Sequence, residues 1–231
     1  MPELRALTPL GASSAKAFVT VGRADVVLMR ELPLHGALDL RLDARDHAAM
    51  SAVASAIGAA LPVTPNTWIA APGAHALWQA YDEWLLVTPD GKQAALASTL
   101  RRSLADWHFA LTDMSDLRAA FELTGPRARD VLQKGCAVDL HPRAFGAGTC
   151  VQTALARVRV TLRQMDATPV YQALVDRSYA RYLWDWLLDA ALEYVQLRPP
   201  PSQPRMPIRG VASIPPEGEG ETSPPSAYLA P

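Results

Sequence analysis

Cysteine is scarce: Cys136 and Cys150 are the two thiols in 231 residues. That is too few for a disulfide framework, and in a reducing compartment both are expected as free thiols. Lysine is nearly as rare, with Lys16, Lys92 and Lys134 the only ones among 22 basic residues. Charge of one sign is missing as well. The formal net charge is -1, so nothing favours a phosphate backbone or an anionic membrane as obligatory partner, and neither nucleic acid nor membrane is expected. No stretch reaches the roughly 18 apolar residues of a membrane span, and the start "MPELRALTPLGASSAKAFVTVGR" lacks the unbroken apolar core of a signal peptide. A cytoplasmic protein is expected. There is no G-x-G-x-x-G after a strand, no P-loop and no C-x-x-C, the motifs that would point to a nucleotide, a phosphate or a redox pair.

The sequence is rich in apolar periodicity, with 49% hydrophobic residues, enough for one good core or two small ones. "LDLRLD" sets Leu38, Leu40 and Leu42 on one face of a strand against Asp39 and Arg41 on the other. Met50, Val53, Ala54, Ile57 and Leu61 then recur at helical spacing until Pro62, which predicts the helix end. "HALWQAY" and "EWLLVTP" read as two strands joined at Tyr81 and Asp82. Thr88, Asp90 and Gly91 mark the turn into a second helix carrying Leu96, Leu100, Leu104 and Trp107, and "HFALTD" closes the set.

The second half repeats the order. "LRAAFELT" puts Leu117, Ala119, Phe121 and Leu123 on one face, and Gly125-Pro126 opens a short helix. Strands follow near 151–156 and 157–163, then "PVYQALV", apolar on both faces as a central strand would be, then the helix "SYARYLWDWLLDAALEY". Each half reads as β-α-β-β-α-β, a split unit that builds a sheet with helices on one side. The expected fold is therefore α+β, two tandem ferredoxin-like modules over 25–114 and 115–197, preceded by an N-terminal segment, 1–24. Residues 199–231 hold 10 of the 20 prolines and no apolar periodicity, so 198–231 is expected as a disordered tail.

"KGCAVDLHPRAF", residues 134 to 145, concentrates chemistry-bearing side chains. A nucleophile reading pairs Cys136 with His141 as its base, but no local third group orients the histidine. A metal reading uses Cys136, Asp139, His141 and Cys150, although Cys-x-x-Asp-x-His is not an established zinc spacing. A structural reading accounts for every residue: Gly135 stops a helix, Cys136 is a small buried hydrophobe, and Pro142 holds His141 extended. In that reading no catalytic residue and no metal is assigned, and Lys134, Asp139, His141 and Arg143 are polar interface candidates. On the last helix, Leu183, Trp186, Leu187, Ala190, Ala191 and Tyr194 form the expected core stripe. Tyr182, Trp184 and Leu188 add apolar surface beyond it and are further interface candidates.

"DEWLLVTPDG", "DMSDLRAAFELTGPRARDVL", "KGCAVDLHPRAF" and "DRSYARYLWDWLLDAA", in this order, resemble the gamma subunit of heterotetrameric sarcosine oxidase. More distantly, the chain over about residues 25 to 195 resembles the folate-binding domain of the glycine-cleavage aminomethyltransferase, so the fold is expected to be folate-binding-domain-like. The first resemblance implies a complex that oxidises sarcosine to glycine and hydrogen peroxide while tetrahydrofolate captures the one-carbon unit. It implies alpha, beta and delta subunits as partners, which carry FAD, FMN, NAD, tetrahydrofolate and zinc, and a gamma subunit that carries none. The second implies pterin contacts at an acidic residue, Asp113 or Asp116, and at a later Glu whose place here is taken by Gln172. A different class is a stand-alone folate-binding protein that supports iron-sulfur enzymes or one-carbon metabolism. "KGC" matches its mark, whereas Ala137 and the absence of a Gly-Gln pair do not.

Overall fold

The computed structural model describes residues 8–11 and 20–195. The chain enters through a hairpin, β1 (Thr20–Arg23) and β2 (Val27–Glu31). There follow β3 (His35–Leu42), α1 (His47–Ile57), β4 (Trp68–Ala70), β5 (His75–Ala80), β6 (Glu83–Pro89), α2 (Gln93–Ser103) and β7 (Phe109–Asp113). The second half holds β8 (Arg118–Thr124), α3 (Ala128–Gln133), β9 (Cys150–Leu155), β10 (Val158–Asp166), β11 (Val170–Asp176) and α4 (Ala180–Val195). The Pro-rich tail lies outside the described residues. No helix among them is long and apolar enough to cross a membrane.

The strands form two antiparallel sheets, one of five strands in the order β4-β5-β6-β3-β7 and one of six in the order β1-β2-β8-β11-β10-β9. α1 and α2 pack on the five-stranded sheet and α3 and α4 on the six-stranded one, but the strands are not shared out between the sheets by their position along the chain. β2, whose residues fall within 25–114, pairs with β8, from Leu28 opposite Thr124 to Glu31 opposite Phe121. The reason lies in β8, whose residues 119–123 are all buried. A strand buried on both faces needs a partner on both edges to pair its N–H and C=O groups. β11 takes one edge and β2 the other. Neither β1 nor β2 was expected, because both are short and lack a sustained period-2 pattern. The same holds for β4, of three residues.

Local signals account for the helix ends. Asp46 caps α1, its carboxylate accepting from the Ala48 and Ala49 N–H groups at 3.1 and 3.0 Å. The helix stops at Gly58, which adopts the left-handed conformation at φ 88° and donates to the Ala54 carbonyl. This is four residues before the expected stop at Pro62, yet Leu61 still reaches the core. α2 likewise ends at Ser103, and Trp107 lies in the turn after it. Leu117, expected on the core face of β8, is 55% exposed because it belongs to a short 3-10 turn before the strand.

Three apolar layers result. One joins the five-stranded sheet to α1 and α2, with Leu38, Leu40, Val53, Trp84 and Leu100. Another joins the six-stranded sheet to α3 and α4, with Phe121, Leu123, Val160, Leu162 and Leu187. The third lies between the sheets and is built of Ala37, Trp68, Leu77, Leu85, Ala120, Cys150 and Leu174. Alternation sorts the strands between layers: in β8, Ala119, Phe121 and Leu123 face the helices, while Ala120 faces the opposite sheet.

Candidate functional site between the sheets

The inner face of the six-stranded sheet carries a polar row through an otherwise apolar layer. Arg30 on β2 stands opposite Glu122 on β8, Glu122 opposite Gln172 on β11, and Gln172 opposite Arg163 on β10. Directly opposed residues are near neighbours across a sheet, and here each bonds to the next. Arg30 Nε donates to Glu122 Oε1 at 2.8 Å, and its Nη2 lies 2.6 Å from the same oxygen. Gln172 Nε2 donates to Glu122 Oε2 at 2.8 Å. Arg163 Nε and Nη2 both donate to Gln172 Oε1, at 3.0 and 2.6 Å. The chemistry sets the amide's orientation, since a carboxylate only accepts and a guanidinium only donates. An amide satisfies both neighbours at once, which a carboxylate at 172 could not.

Arg163 is 4% exposed, and burial pushes its guanidinium down to about 10, still cationic at neutral pH. Two groups from the other sheet meet it. Its Nη1 lies 3.1 Å from His75 Nδ1, which must accept because guanidinium has no acceptor. Its Cζ sits 4.9 Å from the Trp68 ring centroid, a cation–π contact. Burial, and then the Arg163 charge, holds His75 below the ordinary imidazole value. Beyond Arg163 the row ends at Cys150, whose Sγ donates to the Thr67 carbonyl at 3.2 Å and whose thiol burial pushes up to about 12. A cleft of about 450 Å³ opens over this floor, with Arg163, Gln172, His35 and His75 among walls that include Leu32, Val87, Ala120 and Leu174.

Of the residues expected from sequence to contact folate, only Gln172 reaches this cleft. Asp113 accepts from the Ser115 N–H and hydroxyl at 3.0 and 2.6 Å, which makes it a turn former. Asp116 lines a separate depression with Arg118 and Asp176. The metal candidates are dispersed as well. Cys136 follows α3 and bridges to Leu155, while Cys150 lies between the sheets. Among the described residues no three His, Cys, Asp or Glu side chains converge.

The 134–145 corner is built by local bonds. Asp139 accepts from the His141 N–H at 2.8 Å, and His141 Nδ1 accepts from the Arg143 N–H at 3.2 Å. Asp139, His141 and Arg143 are exposed. The Cys136 thiol is pushed up by burial, the opposite of what an activated nucleophile needs. Gly135 is required because a Cβ there would lie 2.5 Å from the Trp186 ring. Lys134 is exposed and is bonded within the chain: Nζ donates to the Ala190 carbonyl at 2.5 Å, pairs with Glu193 and lies 5.0 Å from the Tyr194 ring. It ties α3 to the end of α4.

α4 is rotated from the expected phase. Trp184 is 4% exposed, its ring 5.4 Å from Phe121, and so belongs to the core and not to an interface. Leu188 is half-buried against the same core, and Tyr182 is 43% exposed. The buried stripe is Ala180, Leu183, Trp184, Leu187, Ala190 and Ala191, with Trp186 instead covering Gly135. Sequence reasoning missed Arg30, Glu122, Arg163, His75 and Trp68. A signal was present: Glu122 and Gln172 each interrupt a strand that is otherwise apolar, where an isolated polar group needs a partner.

The architecture defines a class first. Aminomethyltransferase T of the glycine cleavage system from Bartonella henselae superposes with a TM-score of 0.54 at 13% identity, over 71% of this chain and 46% of that one. The fold is thus α+β, two antiparallel sheets with helices, of the kind seen in that protein. The sequence comparison is narrower. Residues 41–193 match the sarcosine oxidase, gamma subunit family. Sarcosine oxidase subunit gamma from Corynebacterium sp. (strain P-1) and from an Arthrobacter species are each 33% identical over 181 residues, 78% of this chain and 87% of theirs. A chain of the heterotetrameric sarcosine oxidase from Corynebacterium sp. U-96, solved in complex with pyrrole 2-carboxylate, superposes with a TM-score of 0.69 at 31% identity. That match covers 76% of this chain and 89% of that one. The chain belongs to the sarcosine oxidase gamma subunit family.

Proposed function

We propose that the chain is the non-catalytic gamma subunit of a heterotetrameric sarcosine oxidase. The complex oxidatively demethylates sarcosine to glycine with formation of hydrogen peroxide, and the one-carbon unit passes to tetrahydrofolate. Its alpha, beta and delta subunits hold FAD, FMN, NAD, tetrahydrofolate and zinc, and the protein works in the cytoplasm. The observation that carries this reading is the 33% identity extending over 87% of a gamma subunit's own length. For tetrahydrofolate, the Gln172 amide is engaged at both ends by Glu122 and Arg163, and Asp113 is engaged by Ser115. These residues do not fit the pterin contacts of the aminomethyltransferase. For zinc, Cys136, Asp139, His141 and Cys150 do not converge among the described residues. No reaction step is therefore assigned to this chain.

The second reading, a stand-alone folate-binding protein, rests on "KGC" at 134 to 136. In this structure those residues serve a helix corner. Affinity purification of the full chain from its native cells, followed by an absorption spectrum, separates the two. Co-purification of a flavoprotein, together with a colourless chain when expressed by itself, is the expected result. Tight tetrahydrofolate binding by the purified chain, with no flavoprotein recovered, would overturn the subunit reading.

A further inference from the structure

We infer that the cleft between the sheets binds a small organic carboxylate, held by Arg163. Charge in the polar row is the starting point. Arg30 and Glu122 form an ion pair, and Gln172 is neutral. Arg163 is left with an amide oxygen, an imidazole nitrogen and an indole face as its contacts; no described carboxylate bonds to it, and Glu122, already bonded to Arg30 and Gln172, acts on it only through space. A buried cation without a counter-ion is unfavourable, which is why buried charges are paired in nearly all proteins.

Donor capacity supports the same conclusion. A guanidinium has five N–H groups, and Gln172 and His75 engage three of them. One N–H on Nη1 and one on Nη2 have no acceptor among the described residues, and two donors on adjacent nitrogens are what the two oxygens of a carboxylate accept. Arg163 also lines the open cleft, so a ligand has a route to it. Trp68 and Gln172 hold the guanidinium in place beforehand, so binding orders little.

The rest of the lining narrows the ligand class. Leu32, Pro33, Val87, Ala120 and Leu174 offer apolar walls, and about 450 Å³ lies at the small end of the range for small-molecule sites. A short aliphatic or single-ring body fits. Burial pushes both His35 and His75 below the ordinary imidazole value, so neither adds a second positive charge at neutral pH. The exposed Asp90 contributes a negative charge to the lining. A monoanion is favoured over a phosphate ester or a dicarboxylate.

The test compares matched ligands on the full-length chain at constant ionic strength, using acetate, propionate and benzoate against acetamide, propionamide and benzamide. Thermal unfolding should shift upward with each carboxylate and saturate, as binding to the native state alone requires, and the amides should leave it unchanged. In nitrogen-edited NMR of the wild-type chain, the Arg163 Nε–Hε signal should move along a saturation curve with propionate and stay still with propionamide. Arg163→Gln should abolish the thermal response. Equal responses to carboxylates and amides, a motionless Arg163 signal, or an Arg163→Gln chain that responds as wild type would each overturn the inference. The NMR comparison decides the matter even if Arg163→Gln does not fold.

Discussion

Replacing Glu122 with Ala removes the acceptor that joins Arg30 to Gln172, and the cost can be worked from the exposure of each partner. The Glu122 side chain is 8% exposed and that of Arg30 51%, so the ion pair is half in water and contributes under about 1 kcal/mol. The Gln172 bond to the carboxylate is buried. A hydrogen bond to a charged group contributes about 1.5–3 kcal/mol, and stranding the buried Gln172 N–H adds to its loss. The expected destabilisation is about 3 kcal/mol, a large share of a typical domain's stability. Urea unfolding followed by tryptophan fluorescence reads it as a lower midpoint at unchanged slope. Arg30→Ala should cost less than about 1 kcal/mol. A double-mutant cycle of Glu122→Ala with Gln172→Ala should show a coupling of about 1–2 kcal/mol, because once Gln172 is gone the loss of Glu122 no longer strands its N–H. A Glu122→Ala loss no larger than that of Arg30→Ala would refute the claim that the row is a connected, buried network.

Trp184→Ala should destabilise the chain by about 3–5 kcal/mol as a large buried ring is lost against Phe121, whereas Tyr182→Ser should stay within about 0.5 kcal/mol; equal small effects in urea unfolding would return Trp184 to the surface. Stability should also depend on His35, which burial holds below its ordinary value of 6.5. Its folded form is neutral and the unfolded chain takes up the proton, so its contribution is complete above about pH 6.5 and is lost as the pH falls below that value. Asp39, pushed up to about 6 by burial and the nearby Glu83, works in the opposite direction over the acid range. The measurement is therefore a difference: between roughly pH 7 and 5, wild type should lose more stability than His35→Gln, and parallel curves would refute the assignment.

Much of this protein can be read along the chain. "EWLLVTP", "LRAAFELT" and "PVYQALV" are strands β6, β8 and β11, and "SYARYLWDWLLDAALEY" spans α4, because burial of one face imprints a period of two or of 3.6 on the residues themselves. The family was legible in the same way, in four motifs in fixed order. The reading of 134–145 as a helix-to-loop corner also rested on local information, a glycine after an apolar helical run and a proline that constrains His141, although the contact that requires Gly135, with the Trp186 ring, is not local. The phase of α4 was not local. Trp184 and Trp186 have equal claims to a core stripe in one dimension, and Phe121 on β8 and Gly135 after α3 decide between them. Nor could the sequence say that β2 crosses to the second sheet, a choice made by the open edge of β8 some ninety positions away. The polar row depends on that same choice. Arg30, Glu122, Gln172 and Arg163 come from four strands, and only strand pairing and register set them side by side, while the packing of one sheet on the other brings His75 and Trp68 against Arg163. Local periodicity records which face of an element is buried; which other element covers that face is set by contacts distant in sequence, and the cleft is made wholly of such contacts.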